Sequence, residues 1–232
     1  MLTVDLNEHM LDAIVFDLDG VLVDSAPCHR AAFEEVFRPL GVHDFDYSRY
    51  AGWRTNDVVE SVLGRIGFDA TPEFVTGLAG RKSQLAREKL AKSNPIDQDC
   101  LAVLGTLARS YTLALASSGS RQSVEMFLNT NNCAHLFQSV LCGDSVSKAK
   151  PDPEIYERTF DALQIDPGTG AVVEDAVAGI VAAKAAGAGA IIGIAGTCPA
   201  DQLLGAGASH VIHALAELPE LLGSAYGHAN AN

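Results

Sequence analysis

The sequence predicts an α/β protein, a doubly wound parallel sheet carrying an inserted all-helical cap. Three observations point there. Short apolar runs of strand length recur at 13–16, 111–117, 139–142, 170–174, 190–194 and 210–212. From the second run onward, helical patterns separate them, the alternation that gives a parallel sheet covered on both faces. Between the first and second runs lie roughly ninety residues, far more than a crossover needs, so a further unit is inserted there.

The first strand, AIVF (13–16), runs into Asp17-Leu18-Asp19-Gly20. Two like charges at a strand tip repel, which calls for a positive partner. The inserted segment is helical: Phe33, Val36, Phe37 and Leu40 follow i, i+3, i+4, i+7 spacing, and Val59, Val62, Leu63 and Ile66 repeat it. Thr71-Pro72 opens a third helix running toward Leu90. We expect residues 26–94 to form the all-helical cap and residues 1–25 and 95–232 the core. SNPI (93–96) is the expected hinge, because Pro95 biases Asn94 toward extended geometry. YTLALAS (111–117) is the second strand, and residues 121–128 form a helix with Val124, Phe127 and Leu128 on one side. After SVLC (139–142), Asp152 and Pro153 read as the N-cap and first turn of a helix burying Ile155, Phe160 and Leu163. GAVVE (170–174) ends at Glu174-Asp175 ahead of a helix over 176–186, and AIIGI (190–194) and HVI (210–212) complete the sheet. GAGAIIGIAG is not a dinucleotide fingerprint, since the G-x-G-x-x-G spacing is missing and the glycines precede a strand.

With 232 residues, 48% of them hydrophobic, the chain can bury a substantial core. Its net charge of -13 opposes contacts to nucleic-acid phosphates, so nucleic acid is not an expected partner. The five cysteines are odd in number and scattered without a C-x-x-C pair, which reads as reduced thiols in a cytoplasmic protein. MLTVDLNEHMLD lacks the apolar region of a signal peptide. The apolar stretch 185–200 is shorter than the ~18 residues a membrane span needs, so no membrane partner is expected. The tail GSAYGHANAN (223–232) lacks periodicity and reads as a frayed end. A monomer or weak homo-oligomer is expected.

In a parallel sheet the C-terminal strand tips face one crevice, so Asp17, Asp19, Ser117, Lys150, Glu174 and Asp175 can converge. Carboxylates from two strand ends and a backbone carbonyl are hard oxygen ligands, suited to Mg²⁺ with waters and a substrate phosphate. That cation supplies the positive partner that Asp17 and Asp19 call for.

In these motifs the chain resembles the haloacid dehalogenase superfamily, specifically its β-phosphoglucomutase and sugar-phosphate phosphatase branch. Asp17-Leu18-Asp19-Gly20-Val21 matches its first motif, Ser117 its second, Lys150-Pro151 its third and Glu174-Asp175 its fourth. The resemblance spans nearly the whole chain and implies a Rossmann-like core with a helical cap. By that resemblance Asp17 is the nucleophile, Asp19 is the general acid/base and gives a carbonyl to the metal, Asp175 is a metal ligand, and Glu174 is a ligand or its support. Ser117 and Lys150 belong to the catalytic set. His29, Arg54, Lys82 and Ser118 are expected to contact the substrate, Arg54 and Trp53 from a specificity loop GWRT (52–55) facing the crevice.

Simpler readings stand beside these: Ser117 as an N-cap, Lys150 as a solvated loop lysine like Lys148, Glu174-Asp175 as helix caps, Thr55 as the cap of a cap-domain helix, and His29 and Lys82 as surface residues. The implied activity is a Mg²⁺-dependent phosphatase of small phosphorylated metabolites working through a phosphoaspartate. A phosphosugar mutase is the alternative, and a non-catalytic binding protein on the same fold a distant third. His29 and Lys82 favour the mutase. Gly52-Trp53-Arg54-Thr55 departs from the mutase's Gly-x-Ser-Arg by bringing the arginine one place earlier, a turn of about 100° on a helix, and favours the phosphatase.

Overall fold

The computed structural model describes residues 11–93 and 98–225. Strand β1 (Ala13–Phe16) leads into α1 (Ala26–Phe37), α2 (Thr55–Arg65) and α3 (Pro72–Ser93). There follow α4 (Gln98–Leu107), β2 (Thr112–Ala116), α5 (Arg121–Thr130), β3 (Ser139–Leu141), α6 (Glu154–Leu163) and β4 (Gly170–Glu174). The chain continues through α7 (Val177–Ala185), β5 (Ala190–Ile194), α8 (Ala200–Ala206), β6 (His210–Ile212) and α9 (Leu218–Ala225). The strands form one parallel sheet in the order β3-β2-β1-β4-β5-β6.

Strand periodicity of two sorts the side chains onto two faces. Ile14 and Phe16 join Leu113, Leu115 and Val173 beneath α4, α5 and α9, while Ala13 and Val15 join Ala114, Ala116 and Val172 beneath α6, α7 and α8. Both faces are covered, so the strands are apolar throughout. Each fully buried Ile, Leu or Phe contributes ~1.5–3 kcal/mol, which is what holds the sheet centre rigid. The order in which strands are added switches sides at β1, which has β2 on one side and β4 on the other, and the crevice outside their C-terminal ends is where such folds bind ligands.

Helices α1 to α3 build a separate core from Phe33, Val36, Phe37, Val59, Val62 and Val75. The rings of Phe33, Phe37 and Phe45 lie with centroids within 5.6 Å of one another. Two details depart from expectation. Ile66 is 40% exposed, because α2 ends at Arg65 and the chain turns away. Helix α6 begins at Glu154 with Pro153 in the cap position, and Asp152 instead accepts from the Glu154 N–H at 3.1 Å. The expected hinge from Asn94 to Ile96 and the tail beyond Ala225 lie outside the described residues. All five cysteines are buried. Among the described residues no helix is long and apolar enough to cross a membrane.

Candidate active site

Asp17 caps β1, its N–H still held by the Val173 carbonyl at 3.0 Å, so its carboxylate issues from the rigid sheet centre. Lys150 reaches it from the loop after β3. The Lys150 ammonium is buried and donates to Asp17 Oδ1 at 2.7 Å, Glu174 Oε1 at 2.6 Å and the Ala116 carbonyl at 3.1 Å. Tyr156 from α6 donates to the same Glu174 oxygen at 2.6 Å. Glu174 Oε2 accepts the N–H groups of Asp175 and Ala176 at 3.1 and 3.3 Å. Asp175 lies against Gly20 and accepts a hydrogen bond from Thr197. Gly20 has φ +80°, and a Cβ there would sit 1.8 Å from Asp175 Oδ2, so only glycine fits both the backbone and the space.

One carboxylate oxygen from each of Asp17, Glu174 and Asp175 lies within 4.8 Å of the others. Burial, opposed by Lys150 and reinforced by Glu174 and Asp19, pushes the Asp17 carboxyl up to about 7. Burial, then Glu174 and Asp17, holds Asp175 well above the usual carboxylate range. Lys150 is held well above its usual value because Asp17 and Glu174 outweigh its burial. Full ionisation of three buried carboxyl groups against one ammonium would leave two negative charges uncompensated, which is why Asp17 and Asp175 are raised, and their hard oxygens suit a divalent cation of the Mg²⁺ kind.

Asp19 points the other way, toward the cap. Its Oδ1 accepts from Ser25 Oγ at 2.6 Å and contacts His29 Nε2 at 3.1 Å. Burial alone would raise its pKa, yet His29 and Ser25 together hold it well below the usual range. Behind His29, Lys82 of α3 lies 2.6 Å from Nδ1. A lysine donating there selects the tautomer in which Nε2–H donates to Asp19. Lys82 is buried over the Phe33 ring at 4.1 Å, and burial, opposed by Asp19, brings its pKa down to about 7. Lys82 is therefore an interior group and His29 a half-buried one, and together they link α1 and α3 to Asp19.

Ser117 Oγ accepts from the Gly119 N–H at 3.0 Å, while the N-cap of α5 is Ser120. Ser118 donates to the Gly52 carbonyl across the cleft at 2.7 Å. Lys148 pairs with Asp152 at an exposed site, apart from Lys150. Asp17, Asp19, His29, Trp53, Lys82, Ser118 and Asp175 enclose a cavity of about 40 Å³. That is far below the ~300–1,000 Å³ of small-molecule pockets, so this arrangement of cap and core is a closed one.

Arg54 corrects an expectation. Instead of facing the crevice, its guanidinium donates to the carbonyls of Gly143 and Val146, each at 3.0 Å, and of Ser147 at 3.4 Å. Arg54 occupies the cap position of α2 and Thr55 begins the helix, which aims the side chain at the core. Ser25, Tyr156 and Thr197 complete the network although none was singled out from sequence. Ser25 closes the same AIVFDLDGVLVDS stretch that carries Asp17 and Asp19, and that proximity was the available signal.

Comparison with known proteins gives the family. The sequence profile described as haloacid dehalogenase-like hydrolase matches residues 14–192. The chain is 33% identical over 187 residues, 77% of its length and 83% of the relative's, to validoxylamine A 7'-phosphate phosphatase of Streptomyces hygroscopicus subsp. limoneus. It is 28% identical over 184 residues, 76% of its length and 80% of the relative's, to the beta-phosphoglucomutase of Bacillus subtilis. Among solved structures, CbbY from Rhodobacter sphaeroides in complex with phosphate superimposes with a TM-score of 0.77 at 27% identity, covering 90% of this chain and 96% of that one.

Proposed function

Because the chain belongs to the haloacid dehalogenase-like hydrolase family, in its β-phosphoglucomutase-like branch, and is an enzyme of the phosphatase or phosphoglucomutase kind, we propose a specific activity for it. It is a Mg²⁺-dependent phosphatase of small phosphorylated metabolites, sugar phosphates foremost, acting through a phosphoaspartate on Asp17 in the cytoplasm. The observation that carries this reading is the buried lysine bridging Asp17 and Glu174 beside Asp175.

An Asp17 carboxylate oxygen attacks phosphorus and the bond to the ester oxygen breaks. Asp19, held ionised by His29 and Ser25 in this arrangement, takes up a proton once those contacts loosen around the substrate and gives it to that departing oxygen. It then takes one from the water that attacks the aspartyl phosphate, which releases inorganic phosphate and restores Asp17. Ser25 and His29 both engage Oδ1 of Asp19, which leaves Oδ2 for these transfers. Lys150 stabilises charge on the phosphoryl oxygens, and Ser117 with the neighbouring N–H groups receives them. Asp17, Asp175 and the Asp19 carbonyl are the residues that would hold Mg²⁺, whose charge would hold Asp17 ionised and offset the phosphate dianion. Glu174 has both oxygens engaged by Lys150, Tyr156 and two backbone N–H groups, so its role is to place Lys150 rather than to ligate.

Arg54 favours hydrolysis over mutase chemistry: bound to core carbonyls, it offers no clamp for a second phosphate of a sugar bisphosphate. The test is incubation with β-glucose 1-phosphate, Mg²⁺ and a trace of the 1,6-bisphosphate while free phosphate and glucose 6-phosphate are followed together. Phosphate release is expected; rapid glucose 6-phosphate formation with little free phosphate would make the enzyme a mutase.

A further inference from the structure

The segment from Gly143 to Lys150 is tied on its core side. Glu174 receives the Lys150 ammonium. The Glu154 carboxylate collects the N–H of Ser147 at 3.0 Å, its hydroxyl at 2.6 Å and the N–H of Lys148 at 2.8 Å. Arg158 donates to the Ser145 carbonyl, and the Gly143 N–H reaches the Gly119 carbonyl at 2.8 Å. Asp144 accepts from the Arg121 N–H at 2.6 Å, and a tie from the opposite side of the cleft is made by one guanidinium of the cap, Arg54, which spans the carbonyls of residues 143, 146 and 147.

That tie is unusual in its chemistry. Among the described residues no carboxylate pairs with Arg54, and its buried Nε has no hydrogen-bond partner, so its charge is directed wholly at neutral carbonyls. The planar fork can hold carbonyls several residues apart at once, which a lysine's single point charge cannot. Two residues earlier, the Gly52 carbonyl takes the Ser118 hydroxyl at 2.7 Å. Gly52 has φ +80° and a Cβ there would lie 3.0 Å from Ala176, so the cap loop sits tight against the core beside Asp175.

We propose that Arg54 is a positioning residue: it fastens the cap to the segment that carries Lys150, so that closing the cavity and setting the Lys150 ammonium beside Asp17 are one event. When the cap opens, the carbonyls of Gly143, Val146 and Ser147 lose their shared donor and the segment loosens on that side. Phosphoryl transfer to Asp17 is thereby confined to the closed state, in which bulk water is excluded. The proposal rests on the reading of Lys150 as the charge that serves the phosphoryl group, but its structural half can be tested without turnover.

Trp53 is the sole tryptophan, adjoins Arg54, lines the cavity and is 37% exposed. Its acrylamide quenching therefore reports cap closure. In Arg54→Ala the quenching constant is expected to rise ~2-fold as the ring moves into solvent, and Ser118→Ala, which removes the other tie between this loop and the core, should shift it in the same direction. With p-nitrophenyl phosphate and Mg²⁺, kcat of Arg54→Ala should fall at least ~10-fold with a smaller change in KM. Methylguanidinium should restore part of both readouts, and Arg54→Lys should lie between. Quenching unchanged in both variants would overturn the latch whether or not the enzyme is a phosphatase. Altered quenching with an undiminished kcat would overturn the link to Lys150.

Discussion

Gly20→Ala adds one methyl group where the crevice has no room for it. The new Cβ would lie 1.8 Å from Asp175 Oδ2 and 2.9 Å from Thr197 Oγ1, whereas ordinary non-bonded contact begins near ~3.5 Å. The Asp175 carboxylate or the turn carrying Asp19 must therefore retreat by more than ~1 Å, a misplacement able to cost ~10²-fold in rate. Alanine at φ +80° also costs ~1–2 kcal/mol in backbone strain. For a chain of this size that lowers the melting midpoint by ~2–4 °C per kcal/mol. The assay is phosphate release over a Mg²⁺ titration, with thermal melting alongside. A folded variant is expected with kcat down ~10²-fold and half-saturating Mg²⁺ raised at least ~10-fold. A folded Gly20→Ala enzyme with wild-type kcat and Mg²⁺ response would refute the packing of Asp175 against this turn as the basis of the site.

Replacing Lys150 by Ala removes the ammonium shared by Asp17 and Glu174 and should lower kcat at least ~10²-fold; steady-state kinetics with an unchanged kcat would pass its role elsewhere. EDTA should abolish hydrolysis of p-nitrophenyl phosphate and added Mg²⁺ restore it, and undiminished phosphate release in chelator would contradict the metal assignment. Lys82 has a pKa of about 7 in the folded chain against an ordinary 10.5, so between those values the unfolded chain holds a proton that the folded one lacks. Stability from this group therefore rises with pH across that window. Melting curves of wild type and Lys82→Met from pH 7 to 10 should shift in favour of wild type as pH rises, and parallel curves would show that Lys82 is not buried as described.

The fold was legible because its signals are local. Six apolar runs became β1 to β6 with ends shifted by at most a residue or so, since side-chain periodicity and flanking turn residues act over a few positions. Asp17, Asp19, Ser117, Lys150, Glu174 and Asp175 could be picked out because each follows or ends such a run, or precedes a proline. What escaped depends on packing between distant segments. Tyr156 sits among the apolar residues of α6, and nothing nearby announces that its hydroxyl meets Glu174, 18 residues on. Thr197 belongs to the loop after β5 and reaches Asp175 only through the sheet. The direction of Arg54 depends on carbonyls 89 to 93 residues further along. Its one-place offset in GWRT signalled a change, yet the new partner was visible only once cap and core were folded together.

The claim that Asp17 accepts the phosphoryl group is tested most directly by trapping it. Enzyme mixed with excess phosphorylated substrate and Mg²⁺, quenched in acid within a single turnover and digested, should yield a hydroxylamine-labile phosphoryl group on the peptide containing Asp17. Asp17→Asn, which matches the carboxylate in shape but cannot attack phosphorus, should remain folded, carry no label and release no phosphate. Wild-type enzyme that releases phosphate without labelling at any quench time, or a label that persists in Asp17→Asn, would contradict the account.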